Sequence, residues 1–378
     1  MFTDGGLPER DGRILEKVLA GPLGDIAEKI LQGERLTREE GIRLAESPDL
    51  MAIGFMADYA RRCRAGDIVY FINNAHINHT NICKNLCRFC AFGRKADAPG
   101  AFVLALDEIA AKVDEFKHYQ PTEVHIVGGL NPALPFSYYE EMLRIVRRAL
   151  PDAHIQAFDA VEIDFLGEIS GLGVEGVLGR LREVGLGSLP GGGAEIINPA
   201  VRREICPQKI SGERWLEVHR IAHQMGLYTN ATMLYGHLEC PADRVDHLLR
   251  LRSLQDETGG FLAFIPLPFH SENTSFSHLP RSSGFDDLKT VALARLLLDN
   301  FLYIKSFWIM LTPNLAQISL NFGANDLDGT VREEKIAHDA GAATPQYQPS
   351  ESFLRMIREV GRIPVERDTV YNVIRRYS

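Results

Sequence analysis

From Tyr70 onward the sequence alternates short apolar or β-branched runs with longer amphipathic stretches, the pattern of repeated βα units. Strand candidates fall at 75–80, 123–127, 154–157, 186–189, 228–234, 262–266, 307–311 and 321–324. Helix candidates lie between them at 107–118, 137–149, 162–170 with 175–184, 211–225, 242–258 and 286–300. About eight such units in strict alternation predict an α/β fold, a (β/α)8 barrel of the TIM type. An open doubly wound sheet would show a G-x-G-x-x-G turn after its first strand, and none follows residue 80.

The flanks read as helical extensions of that barrel. In the first 70 residues Thr37 and Glu40 are spaced as a capping box, and Ser47-Pro48 is the pattern of an N-cap followed by a first helical residue. Near the other end Ser350 can cap a helix through Val360, with Gly361 and Pro364 as stop signals. The expected organisation is therefore 1–70 as an N-terminal helical extension, 71–340 as the barrel, and 341–378 as a C-terminal helical extension packed on it.

Charge narrows the partners. Lys and Arg number 41 against 50 Asp and Glu, a net charge of −9, whereas binding a nucleic-acid backbone needs a basic surplus. No apolar run reaches the roughly 18 residues of a spanning helix, and Met1 to Arg13 is polar and Gly-rich, unlike a secretory signal. A cytoplasmic enzyme with a small-molecule substrate, no nucleic acid and no membrane partner is the expectation, and in a reducing compartment cysteines more often bind metal or pack than cross-link.

Three of the six cysteines, Cys83, Cys87 and Cys90, form a C-x-x-x-C-x-x-C loop just after the first strand candidate. Thiolates so close together select zinc or an iron–sulfur centre over hard cations. Cys63, Cys206 and Cys240 are scattered, so no fourth thiolate stands at metal-site spacing. A structural zinc site is closed by four ligands, and His76, His79 or a distant cysteine would have to complete one here. Three cysteines on a four-iron cluster leave one iron open, which favours a catalytic centre.

This loop, with Phe89 before its last cysteine, resembles that of the radical S-adenosylmethionine enzymes. Ile77-Asn78-His79-Thr80-Asn81, Gln156-Ala157-Phe158, Leu189-Pro190-Gly191-Gly192-Gly193-Ala194-Glu195, Pro266-Leu267-Pro268-Phe269 and Phe322-Gly323-Ala324-Asn325-Asp326-Leu327 are similar to the branch of futalosine-forming and deazaflavin-forming enzymes. Ile205-Cys206-Pro207, Phe307–Pro313 and Asp326–Val331 look most like its aminofutalosine synthases, and the likeness spans roughly 10–378. The resemblance implies a [4Fe-4S] cluster on the three cysteines and S-adenosylmethionine consumed as cosubstrate. It also implies an external one-electron reductant such as flavodoxin or ferredoxin, and addition of the 5′-deoxyadenosyl radical to 3-[(1-carboxyvinyl)oxy]benzoate on the way to menaquinone. A dehypoxanthine futalosine cyclase, a deazaflavin-forming synthase and a non-catalytic metal-binding module are the competing readings.

The same resemblance distributes further roles. Gly128-Gly129 stand where the family carries a Gly-Gly-Glu-like segment, with Leu130 in place of the acid, so only the backbone role transfers. Gly128, Gly129, Phe89, Glu195 and Asn230 are the candidates for cofactor contact. For an aromatic dicarboxylate, His76, Asn273, Thr232 and Asp159 are the candidates for binding, and Arg281, His270, Asn78 and Tyr235 for catalytic contact. Arg281 is the expected carboxylate clamp because a guanidinium can bind bidentately. His118, His219, His223 and His247 fall on helix candidates and are read as surface or core residues.

Overall fold

A computed structural model describes residues 9–377. The run Ile68–Ile77 is one nearly continuous extended segment broken at Asn73, and its halves join different sheets. Its first half, β1 (Ile68–Ile72), pairs in a four-stranded sheet, and its second, β2 (Asn74–Ile77), opens a seven-stranded one. The larger sheet continues in chain order through β3 (Glu123–Ile126), β4 (His154–Ala157), β5 (Leu186–Leu189), β6 (Tyr228–Tyr235), β7 (Phe261–Pro268) and β8 (Tyr303–Ile304). All its pairs are parallel. Helices such as Phe136–Ala149, Gly212–Gln224 and Gly284–Leu297 connect successive strands, as a parallel sheet requires.

The eighth barrel position belongs to β9 (Asp326–Gly329) and the residues just after it. Lys305 bridges to Asp326 beside β8, and on the other flank the His76 N–H donates to the Arg332 carbonyl at 2.9 Å. Asn74 seals this seam, its Oδ1 accepting the Val331 N–H at 2.9 Å and its Nδ2 reaching Glu123 at 3.2 Å. A Cβ at Gly329 would lie 2.1 Å from Asn74 Oδ1, so the closure depends on glycine there. The (β/α)8 architecture holds, with seven regular strands and an irregular eighth.

The remaining strands lie where helices were expected. After the helix Ser350–Glu359, the C-terminal region forms β10 (Ile363–Arg367) and β11 (Val373–Arg376), giving a sheet ordered β11-β10-β1-β9. The C-terminal extension is thus a helix plus two strands, and Pro364 sits inside β10 rather than stopping an element. The segment 307–311, expected as a strand, holds the helix Trp308–Leu311; β8 precedes it. A five-residue apolar run fits either structure, and here Trp308 is wholly buried with its indole N–H on the Gly329 carbonyl at 2.9 Å. The segment 321–324 is a turn, with Gly323 at φ 103°. At the N-terminal side the Thr37–Glu40 capping box forms, but Asp49 rather than Ser47 caps the helix Leu50–Ala65. Among the described residues no helix is long and apolar enough to cross a membrane.

Candidate active site

The cysteine loop leaves the C-terminal end of β2 and is held by backbone bonds to its neighbours. Gly129 N–H donates to Thr80 O at 2.8 Å and Lys84 N–H to Leu130 O at 2.9 Å, so the loop lies along the segment after β3. Arg88 N–H donates to Ile205 O at 2.9 Å, anchoring it to the helix Pro199–Ile205. The two glycines permit this contact. A Cβ on Gly129 would stand 2.3 Å from the Ile82 carbonyl oxygen, and one on Gly128 would stand 2.4 Å from the His79 ring. His79 itself is buried against Tyr139 and Phe158, and burial pushes its pKa down to about 3, so it is a neutral packing group.

Beneath the loop, at the C-terminal ends of the strands, opens a cavity of about 330 Å³. Cys83, Cys87 and Cys90 face it together with Phe89, Gly128 and Gly129. His76, Asn78, Asp159, Glu195, Asn230, Thr232 and His270 also reach its wall. All three loop cysteines are free, and Gly93 N–H points at Cys90 Sγ at 3.3 Å. Burial raises the thiol pKa of Cys87 to about 12, so in the absence of iron this thiol is protonated.

Several wall residues are already committed to the fold. Asn78 donates to Val127 O at 3.1 Å and accepts from Lys335 N–H at 3.2 Å, leaving it a tie between segments. Thr232 Oγ1 donates to Gly191 O at 2.6 Å. Asp159 caps the helix Ala160–Ser170, its Oδ1 taking the N–H groups of Val161 and Glu162 at 2.8 and 2.9 Å. Burial raises its pKa against the opposing pull of Lys209. The Glu162 carboxylate returns to Asp159 N–H at 2.9 Å and also holds Gly128 N–H at 3.0 Å.

Three expected site residues do not line the cavity. Arg281 binds Glu272 Oε1 and the Gly341 carbonyl, each at 2.7 Å, and is half-exposed. Asn273 donates to Asp339 O at 2.9 Å. Tyr235 is buried with its hydroxyl on Asp287 Oδ1 at 2.9 Å. Each is satisfied by a neighbour that sequence spacing does not reveal.

The cavity's cations are instead Lys209 and Lys305. Lys209 Nζ lies 2.6 Å from Glu195 Oε1 and 5.3 Å from the centre of the Phe89 ring. Burial opposes its charge, but Glu195 and the nearby thiols outweigh that and raise its pKa well above the usual lysine value. Lys305 shares the deep end with Asp328, Glu123, His125 and His76. Leu86, Glu195 and Asp328 all carry positive φ, so strained backbone concentrates around the cavity.

A model of the Radical SAM superfamily matches residues 77–251, and one described as the CofH/MqnC C-terminal region matches 258–377. The aminodeoxyfutalosine synthase of Thermus thermophilus is 45% identical over 356 residues, covering 93% of this chain and 95% of that one. The chain belongs to the radical SAM superfamily. Other relatives of this radical SAM enzyme include the aminodeoxyfutalosine synthase of Streptomyces coelicolor, 43% identical over 95% of this chain and 96% of the relative. The 5-amino-6-(D-ribitylamino)uracil--L-tyrosine 4-hydroxyphenyl transferase of Methanopyrus kandleri is 40% identical over 85% and 88%. Methylornithine synthase shares the fold, with a TM-score of 0.71 at 20% identity over 89% of this chain and 96% of that one.

Radical SAM enzymes work through a [4Fe-4S] cluster and S-adenosylmethionine, and those are the cofactors of this one. The donor set fits: three free thiols on one loop face a shared cavity, with a backbone N–H on one sulfur and no fourth cysteine in the loop. Among the described residues, no three His, Cys, Asp or Glu side chains converge as ligands of a single metal ion, the arrangement a zinc knuckle needs.

Proposed function

We propose that this radical SAM enzyme is an aminofutalosine synthase. The observation that carries the reading is 45% identity to an aminodeoxyfutalosine synthase across nearly the full length of both chains. The cavity supports it, because Ile265, Leu267, Phe269, Phe307 and Met310 offer an apolar wall for an arene, and Lys305 lines the same cavity as a cation suited to a carboxylate.

In this reading Cys83, Cys87 and Cys90 hold the cluster. The backbone at Gly128 and Gly129, the Phe89 segment, Glu195 and Asn230 hold S-adenosylmethionine. When bound and reduced by flavodoxin or ferredoxin, the pair supplies the 5′-deoxyadenosyl radical. The product requires a bond from that adenosyl carbon to the enol-ether carbon of 3-[(1-carboxyvinyl)oxy]benzoate. Migration onto the arene and loss of the carboxyl carbon follow, one water being consumed as that carbon leaves as bicarbonate, with the electron returned to a bound cluster so that no external oxidant is needed. The protein's part is to hold the vinyl carbon against the adenosyl group and to shield the radical from side reactions.

The test is product analysis of the reduced holoenzyme with adenosyl-labelled S-adenosylmethionine and this substrate. Label in an aminofutalosine adduct is expected; stoichiometric free 5′-deoxyadenosine would overturn the reading. A 4-hydroxyphenyl transferase is the second reading, favoured by the 40% identity to the Methanopyrus kandleri relative. Conversion of tyrosine and 5-amino-6-(D-ribitylamino)uracil would establish it.

A further inference from the structure

At the deep end of the cavity a cation and two imidazoles meet with their polar atoms incompletely satisfied. Lys305 follows β8, its N–H on Phe264 O at 2.9 Å, and its side chain is only 5% exposed. It sits beside Ile265 of β7, one residue past the end of β8, and its side chain lines the cavity wall. The ammonium stands 3.6 Å from Asp328 Oδ1, beyond hydrogen-bond range, although a buried ammonium has three donors to place.

The surroundings are short of partners in the same way. His76 and His125 face each other in register on β2 and β3, with rings stacked at 4.7 Å. His125 Nδ1 meets Gln156 Oε1 at 3.2 Å, while His76 Nε2 is buried with no partner among the described residues. Buried polar groups without partners are uncommon in folded proteins, and several together in a cavity wall mark a place for a ligand.

Charge decides which ligand. Glu123 faces the same space; burial pushes its pKa up, but Lys305 and Arg367, with a hydrogen bond from Asn74, outweigh that and bring it to about 2. Burial raises the pKa of Asp328 against the pull of Lys305, and lowers those of His76 and His125, which are neutral. Below them Asp326 is occupied by Arg367 at 2.7 Å and by the Tyr371 hydroxyl at 2.8 Å. Glu123 thus balances Lys305, and burial disfavours a second full negative charge on Asp328. The unspent groups are the Lys305 ammonium and the His76 imidazole, a pair that suits a carboxylate.

We propose that Lys305, with His76 beside it, receives the ring carboxylate of the substrate and thereby selects an aryl acid. This rests on the aminofutalosine synthase reading and specifies it. A ring carboxylate anchored there lays the arene along Ile265, Leu267 and Phe307 and leaves the enol ether to the rest of the cavity, which the cysteine loop also lines.

Binding to the unreduced holoenzyme in the presence of S-adenosylmethionine tests this without turnover. Calorimetry compares 3-[(1-carboxyvinyl)oxy]benzoate with 2-phenoxyacrylate, which lacks only the ring carboxylate. The wild type should prefer the dicarboxylate by about 30-fold or more, the scale of a desolvated charge-assisted contact, and Lys305→Met should reduce that preference to within about threefold. Lys305→Arg should keep it at about tenfold. If Lys305→Met does not fold, Lys305→Met combined with Asp328→Asn removes the whole ion pair and carries the same comparison. Equal weakening of both ligands, or an unchanged preference, would overturn the assignment while leaving the function intact. A wild type that binds neither ligand would sink both readings.

Discussion

Lys209 Nζ sits 2.6 Å from Glu195 Oε1, with both side chains about nine-tenths buried. The pair joins the turn after β5 to the segment beside the cysteine loop, and Glu195 adopts a φ of 49° to reach it. Removing one partner strands the other in the cavity wall, at a cost of about 3 kcal/mol. Glu195→Gln and Lys209→Met should each lower stability by that order, and the double variant by much less than their sum. Denaturant unfolding of the apoprotein measures the cycle, and additive losses would show that the pair is not coupled. Because Glu195 is proposed to hold the cofactor, Glu195→Gln should also raise the dissociation constant of S-adenosylmethionine about tenfold, with iron content unchanged.

The glycines beside the loop should differ in tolerance. A Cβ at Gly128 meets a side chain, the His79 ring at 2.4 Å, whereas one at Gly129 meets the Ile82 backbone carbonyl at 2.3 Å. A ring can shift; a carbonyl held within the loop takes the cysteines with it. Gly128→Ala should fold with a loss of about 1–3 kcal/mol and keep its iron. Gly129→Ala should lose most of its iron on anaerobic reconstitution although no cysteine has changed. Full iron content in Gly129→Ala would separate this contact from cluster assembly.

The cysteines were legible because their spacing is chemistry in itself, and most strands were legible because a parallel sheet buries continuous apolar runs. What escaped was long-range pairing. Arg281 has the chemistry of a carboxylate clamp, but Glu272 already holds it, and nothing local distinguishes a free guanidinium from an occupied one. Lys305 was missed through the misplacement of one strand: with 307–311 read as extended, the inward lysine beside Ile304 fell outside the barrel wall. A lone charge within Phe301-Leu302-Tyr303-Ile304-Lys305-Ser306-Phe307-Trp308 was the available signal. β10 was missed because its partner, β1, lies about 300 residues earlier in the chain, and β11 forms on β10.

Replacing Cys83, Cys87 or Cys90 by Ala should abolish the cluster, measured as iron per chain and loss of the brown chromophore. Cys206 is the informative control. It is buried close enough to Cys87 for their charges to interact, and Lys209 lies near both. If three thiolates suffice, Cys206→Ala reconstitutes to about four irons, as do Cys63→Ala and Cys240→Ala. Iron loss in Cys206→Ala would mean that the fourth iron is not open.

Acid should destabilise this protein before its carboxylates titrate. Burial lowers the pKa of His76, His79, His125, His154, His219, His223, His237, His247 and His270, with His79 and His247 brought to about 3. The unfolded chain takes up these protons near pH 6.5 and the native state does not. Stability is therefore greatest above that pH and falls as pH drops below 6.5, with a limiting slope of about 1.4 kcal/mol per pH unit down to pH 3 for His79 and His247, the two brought to about 3. His79 isolates one of them, since neither ring nitrogen has a partner among the described residues and only packing holds it. His79→Leu removes one titrating group, so its stability deficit relative to wild type should shrink by about 1 kcal/mol between pH 6.5 and 5.5. Urea midpoints of the apoproteins across that range give the answer, and parallel pH profiles would mean that His79 is protonated in the native state or finds a partner there.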